Sequence, residues 1–195
     1  MFWAGCGADQ NPLPRHSIEL AKRHGHQLAM AVDAVLAGLM RPIPAQLQTR
    51  YREIALPFET PLTLEQIRED AESKDQLLAA RARLFMRAMD AVRPLCPTYP
   101  YPVTEWRLGD DIQWVFLGGE VVVDYALRLK AEQRGIRTWV TGYANDIMGY
   151  IPSRRVLQEG GYEATGAVVA YGLQSAWTPA LEDMIIDAVS DQKGK

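Results

Sequence analysis

Two short apolar runs, each broken off by small residues and then a polar side chain, constrain this chain more than any other feature. Residues 111–117 read Asp-Ile-Gln-Trp-Val-Phe-Leu and stop at Gly118, Gly119 and Glu120. Residues 138–141 read Thr-Trp-Val-Thr and pass through Gly142, Tyr143, Ala144, Asn145 and Asp146 to Gly149 and Tyr150. β-Branched and aromatic residues in such runs favour strands, and glycine after a strand allows a close backbone approach. α/β enzymes commonly place reactive groups at the carboxyl ends of strands. Glu120 and Tyr150 are therefore the two residues on which a functional reading turns.

The chain has 195 residues, enough for one domain with a real core. Apolar residues make up 48% and charged residues 23%, as in an ordinary globular protein. A formal charge of −3 gives no electrostatic reason to expect nucleic acid as a partner. No apolar run is long enough for a transmembrane segment. Cys6 and Cys96 could pair once, but two cysteines make neither a disulfide framework nor a metal knuckle, so the compartment stays open. Residues 1–7 lack the basic region and longer apolar stretch of a signal peptide. They read as the end of a buried strand followed by a polar turn, so the chain is expected to be the C-terminal part of a longer protein.

Apolar residues recur at helical spacing over 17–39, with Ser17 as N-cap and Pro42 and Pro44 ending the helix. A strand is expected over 47–56. One or two helices are expected over 63–92, opened by a capping box of Thr63 and Gln66. The charged stretch 68–75 fits a solvated helix face. Pro94, Pro97, Pro100 and Pro102 suggest an extended connector. Strands at 103–108 and 112–117 then form a hairpin across residues 109–111. A helix over 121–134 capped by Gly135, a strand over 137–144, and helices over 152–160 and 179–190 follow. This mixed order predicts an α/β or α+β fold in a single domain, 1–195, with a mixed sheet and flanking helices.

Each candidate has an ordinary structural alternative. Glu120 is expected to open a helix, where the helix dipole favours an acidic side chain. Tyr150 and Tyr162 could be packed tyrosines with bonded hydroxyls. Asp9 and Asn11 lie in a glycine-bracketed polar turn, which suits an active-site loop or a simple Asx turn. His24 and His26 lie two apart on a helix, point to different sides and cannot easily share an ion. His16 is expected to be exposed. The sequence has no Gly-x-Ser-x-Gly elbow and no His-Glu-x-x-His.

Taken together, these segments resemble the neutral/alkaline, non-lysosomal ceramidase family in its N-terminal catalytic domain, in a divergent bacterial branch. The likeness rests on Leu117 to Glu120, on Gly142 through Tyr150 and Ile151, on Tyr162, Glu163 and Ala164, and on Tyr171 and Gly172. The loop from Gly7 to Pro12 is similar to the family's glycine-aspartate loop. The resemblance is strongest over about 103–172. It implies a partial catalytic domain of a zinc amidase that cleaves the N-acyl bond of ceramide, with a lipid-like substrate and a secreted or periplasmic location.

By the same resemblance, Glu120 and Tyr150 match two of four zinc ligands, and Tyr162 matches a tyrosine near the substrate carbonyl. Asp9 and Asn11 fall in the active-site loop, where the family has a serine and this chain has Gln10 or Asn11. The family's two histidine ligands lie upstream of that loop, and none of the three histidines here matches them. The expectation is a zinc-dependent amidohydrolase whose histidines come from an upstream part of the same polypeptide, the 195 residues alone being inactive. The other readings are a catalytically inactive relative kept as a scaffold or binding domain, and an enzyme for another amide or ester.

Overall fold

The computed structural model describes residues 2–91 and 95–190. Its centre is a four-stranded sheet of β1 (Leu47–Pro57), β2 (Thr98–Leu108), β3 (Ile112–Leu117) and β5 (Arg137–Thr141), in the order β1-β2-β3-β5. β1, β2 and β3 pair antiparallel, and β3 pairs parallel with β5. The parallel pair requires a crossover, which α4 (Val123–Glu132) supplies. A separate two-stranded parallel ribbon joins β4 (Glu120–Val121) to β6 (Tyr150–Ile151). The outcome is the expected mixed sheet with flanking helices.

Strand alternation divides the sheet into two unlike faces. Leu56, Tyr101, Val103, Val115, Leu117 and Val140 point to one face and join the main core, with Tyr125 and Leu129 of α4 and Leu181, Ile185 and Val189 of α6 (Leu181–Ser190). The opposite face carries Trp106, Trp114 and Trp139, which are cross-strand neighbours in register, with Phe116 beside Trp114 on the same strand. A second, smaller cluster of Ile67, Ala71, Ala82 and Phe85 holds α2 (Leu64–Ala71) to α3 (Gln76–Asp90). Arg81 is buried where this hairpin meets the main body; it donates to the Leu173 carbonyl and pairs with Asp70, both at 3.1 Å.

Local signals placed most helices. Ser17 caps α1 (Ile18–Leu36), and Thr63 and Gln66 form the reciprocal capping box of α2. α1 nevertheless ends six residues before Pro42, and none of its residues is buried. The expected proline connector is largely strand, because β2 begins at Thr98 and includes Pro100 and Pro102. Those prolines pair only with β1; β3 joins the ladder from Val103 onward, so no β3 partner is deprived of a donor. Pro94 falls outside the described residues. Residues 2–7 form no strand, although Trp3 packs on Trp114 and Trp139. No helix among the described residues is long and apolar enough to cross a membrane.

Candidate functional site

The site is built from backbone first. Gly119 adopts φ +74° and turns the chain out of β3. The loop leaving β5 is then zipped to that turn. Gly119 N–H donates to the Asp146 carbonyl (2.7 Å), Glu120 N–H to Gly149 (2.8 Å) and Tyr143 N–H to Gly119 (2.9 Å). A Cβ on Gly119 would lie 2.7 Å from the Gly149 carbonyl oxygen and 2.7 Å from Ile151 Cγ1, so only glycine fits. The two glycine-terminated strands therefore meet, and Glu120 pairs in register with Tyr150. Glu120 does not open a helix: it lies in β4, and α4 starts at Val123. The helix-dipole explanation for its acidity is replaced by strand pairing.

Four phenols gather around this carboxylate. Tyr171 donates to Glu120 Oε1, and Tyr143 donates to Oε2 at 3.1 Å. Tyr150 packs edge-on to Tyr162, with centroids 5.6 Å apart, and to Tyr171 at 6.0 Å. Tyr162 opens a single π-helical turn, Tyr162–Gly166, and with Glu163, Tyr171, Leu173 and Trp177 lines a narrow crevice beside Tyr150. Such π turns recur at functional sites. The Trp177 indole donates to the Tyr150 carbonyl at 2.9 Å and pins that strand from below. Among the described residues no Lys or Arg pairs with Glu120. Burial and then the Glu120 charge push the Tyr150 phenol up to about 12. The hydrogen bond to Glu120, then burial, raises Tyr171 further, and burial followed by that same carboxylate raises Tyr143.

Tyr143 and Tyr171 lie in segments that carry the family resemblance but were given no site role from sequence. Tyr143 has φ +56° and Asn145 φ +65°, a left-handed conformation rare for residues with a Cβ. The turn at Tyr143 aims its phenol back at Glu120, and no spacing rule announces it. Tyr171 lies 51 residues from Glu120 in sequence. Its convergence depends on the π turn and the Gly172 bend (φ +70°).

The structure gives the remaining candidates other surroundings. Asp9 Oδ1 accepts from the Val123 N–H at 2.9 Å and so caps α4, whose own N-cap, Val122, has no side-chain acceptor. Its Oδ2 pairs with Arg155 at 3.2 Å. That is a structural role for Asp9 at the N-terminus of α4. Asn11 is exposed, and among the described residues its side chain makes no hydrogen bond. His24 Nε2 meets the Pro14 carbonyl at 2.9 Å on the exposed α1. Among the described residues no three His, Cys, Asp or Glu side chains converge in a way that could hold an ion. Glu120 and Tyr150 bring a carboxylate and a phenol onto paired strands at this point.

No protein-family model and no curated protein matches the sequence. Among solved structures, the neutral ceramidase of Pseudomonas aeruginosa aligns over 76% of this chain and 28% of its own, at 18% identity and a TM-score of 0.43. A ceramidase complexed with C2 aligns over 76% of this chain and 31% of its own, at 14% identity and a TM-score of 0.41. The chain thus spans less than a third of either protein. Both carry the name of the family whose motifs the sequence resembles, and likenesses this low assign no residue role.

Proposed function

We propose that this chain supplies one half of a zinc-dependent amidohydrolase centre acting on ceramide or a related N-acyl lipid. The observation that carries the proposal is the meeting of the Glu120 carboxylate and the Tyr150 phenol on paired strands, without a cationic side chain beside them among the described residues. A carboxylate and a phenol on paired strands, with no cationic side chain beside them among the described residues, present oxygen donors that a divalent cation could draw together. The donors fit zinc in type, since carboxylate oxygen is an ordinary ligand. Two donors do not fill its shell; the remaining ligands, which the family resemblance implies are two histidines, would lie outside these residues. Zinc, when bound, would supply a Lewis acid that polarises the scissile carbonyl and acidifies water.

The chain's own residues would do the rest. Tyr143 and Tyr171 would hold both carboxylate oxygens of Glu120 and fix its orientation. Tyr162, exposed beside Tyr150, would present its hydroxyl to the oxygen on which charge develops as the amide carbon becomes tetrahedral. The crevice walls Ala167, Val168 and Leu173 would exclude water from one side of the site. Asp9 would act indirectly, by anchoring α4 behind β4.

A second reading, a binding or scaffold domain without catalysis, is favoured by one observation: both carboxylate oxygens already accept phenolic protons. Cobalt titration separates the two. With free imidazole added to replace the missing side chains, the chain should develop the visible bands of tetrahedral cobalt. Glu120→Gln and Tyr150→Phe should each abolish them. Spectra identical in wild type and both variants would refute the metal reading and leave the binding domain.

A further inference from the structure

Three tyrosine rings form a corner beside Glu120. The planes of Tyr162 and Tyr171 stand at 74° and 89° to that of Tyr150, with centroids 5.6 Å and 6.0 Å from it. The rings are walls at right angles rather than a stack, and Trp177 lines the crevice they enclose. An aromatic face is electron-rich, and a cation within about 6 Å of a ring centroid is attracted to it. Several such faces turned on one point are how proteins recognise ammonium groups.

Charge points the same way. Glu163, half-buried, lines this crevice, and among the described residues its carboxylate makes no hydrogen bond and no ion pair. The walls thus hold a negative charge without an internal counter-charge, which favours a cationic ligand. Size then selects the cation. The crevice measures about 210 Å³ with its mouth included, and its narrowest part has room for about one water-sized group. A primary ammonium group is of that size, whereas a nitrogen carrying three methyl groups is not. Its three N–H donors suit the Glu163 carboxylate and the Tyr162 hydroxyl as acceptors. Ala164, Ala167 and Leu173 give apolar walls for the methylenes next to the nitrogen.

We propose that Tyr150, Tyr162, Tyr171 and Glu163 form a binding site for a primary alkylammonium ion. The site stands on the rings and the carboxylate and needs no metal; only its link to catalysis rests on the amidohydrolase reading. In that reaction the C–N bond of the amide breaks and the oxygen of water joins the acyl carbon as a carboxylate. The nitrogen leaves with the protons of water as an alkylammonium. The corner therefore receives the amine product beside the Glu120–Tyr150 pair where it is released.

NMR titration of the ¹⁵N-labelled chain with n-octylammonium chloride, at pH 7 in EDTA, tests the site without metal. An alkylamine is protonated at that pH, as lysine is. Shifts should saturate and concentrate on the amides of Tyr150–Ile151 and Tyr162–Gly166. n-Octanol, with the same chain and no charge, and tetramethylammonium chloride should each bind at least about tenfold more weakly. Glu163→Gln should weaken octylammonium about tenfold and Tyr162→Leu about fivefold. Tyr162→Phe, which keeps the ring face, should lose less than Tyr162→Leu. The spectrum of each variant reports at the same time that the fold is kept. Equal affinity for octanol, affinity untouched by both Glu163→Gln and Tyr162→Leu, or no saturable shifts overturns the proposal. The cobalt titration is read separately. Ammonium binding in EDTA without cobalt bands would overturn the metal reading alone, and cobalt bands without ammonium binding would overturn this site alone.

Discussion

Replacing Gly119 with alanine should separate Glu120 from Tyr150 and lower stability by an amount that the geometry bounds. Gly119 has φ +74°, and a left-handed conformation costs a residue with a Cβ about 1–2 kcal/mol. The new Cβ would also lie 2.7 Å from the Gly149 carbonyl oxygen, 2.7 Å from Ile151 Cγ1 and 2.9 Å from Met148 Sδ. The backbone oxygen cannot rotate away, and overpacking of this kind costs about 1–3 kcal/mol. The total is about 2–5 kcal/mol. Gly135→Ala is the control: its φ is +90°, and nothing lies within 4 Å of the new Cβ, so it carries the conformational term alone. Urea unfolding of both variants, followed by circular dichroism, isolates the steric term as their difference, about 1–3 kcal/mol. Equal destabilisation would mean that β4 and β6 do not approach as closely as described, and the reasoning for a convergent Glu120–Tyr150 pair would fail.

Asp9→Ala should lower stability by about 1–2 kcal/mol, chiefly through loss of the cap on α4, since the half-exposed Arg155 pair adds little. Asp9→Asn, which keeps an acceptor for the Val123 N–H, should lower it by less than half as much in the same urea assay. The two thiols should differ in reactivity. Burial pushes Cys6 up to about 12, whereas a backbone hydrogen bond at Thr98 lowers exposed Cys96, so a disulfide reagent should label Cys96 in the native protein and Cys6 only on unfolding. The same burial makes stability fall in alkali. The folded state keeps the Cys6 proton after the unfolded chain has lost its own, so stability is whole below pH 9 and drains away toward pH 12, by on the order of 4 kcal/mol. Cys6→Ala should reduce the alkaline slope of unfolding free energy, leaving the part that comes from tyrosines raised by burial, such as Tyr101 and Tyr125; an unchanged slope would deny the burial of Cys6.

What could be read from the sequence follows the range of the interactions. Caps act over three residues, so Ser17 and the Thr63–Gln66 box placed two helix starts to the residue. The two glycine-terminated strands were legible because alternation and glycine are local signals, and they delivered Glu120 and Tyr150 together. The strand character of β4 was not legible, because its ladder comes from residues thirty positions away. Pro100 and Pro102 read as breakers until the register showed β3 stopping short of them. Asp9 looked like an active-site residue because its cap on α4 spans 114 positions. Tyr143 and Tyr171 were given no site role for related reasons: one depends on a left-handed backbone, the other on a distant turn.

A calorimetric zinc titration of this chain, run beside Glu120→Gln and His24→Ala, probes the half-site most directly. The account predicts a weak isotherm for wild type and for His24→Ala, and none for Glu120→Gln. Tight one-to-one binding by wild type, or weak binding that survives Glu120→Gln, would show that the carboxylate and phenol on β4 and β6 are not the oxygens that meet the metal.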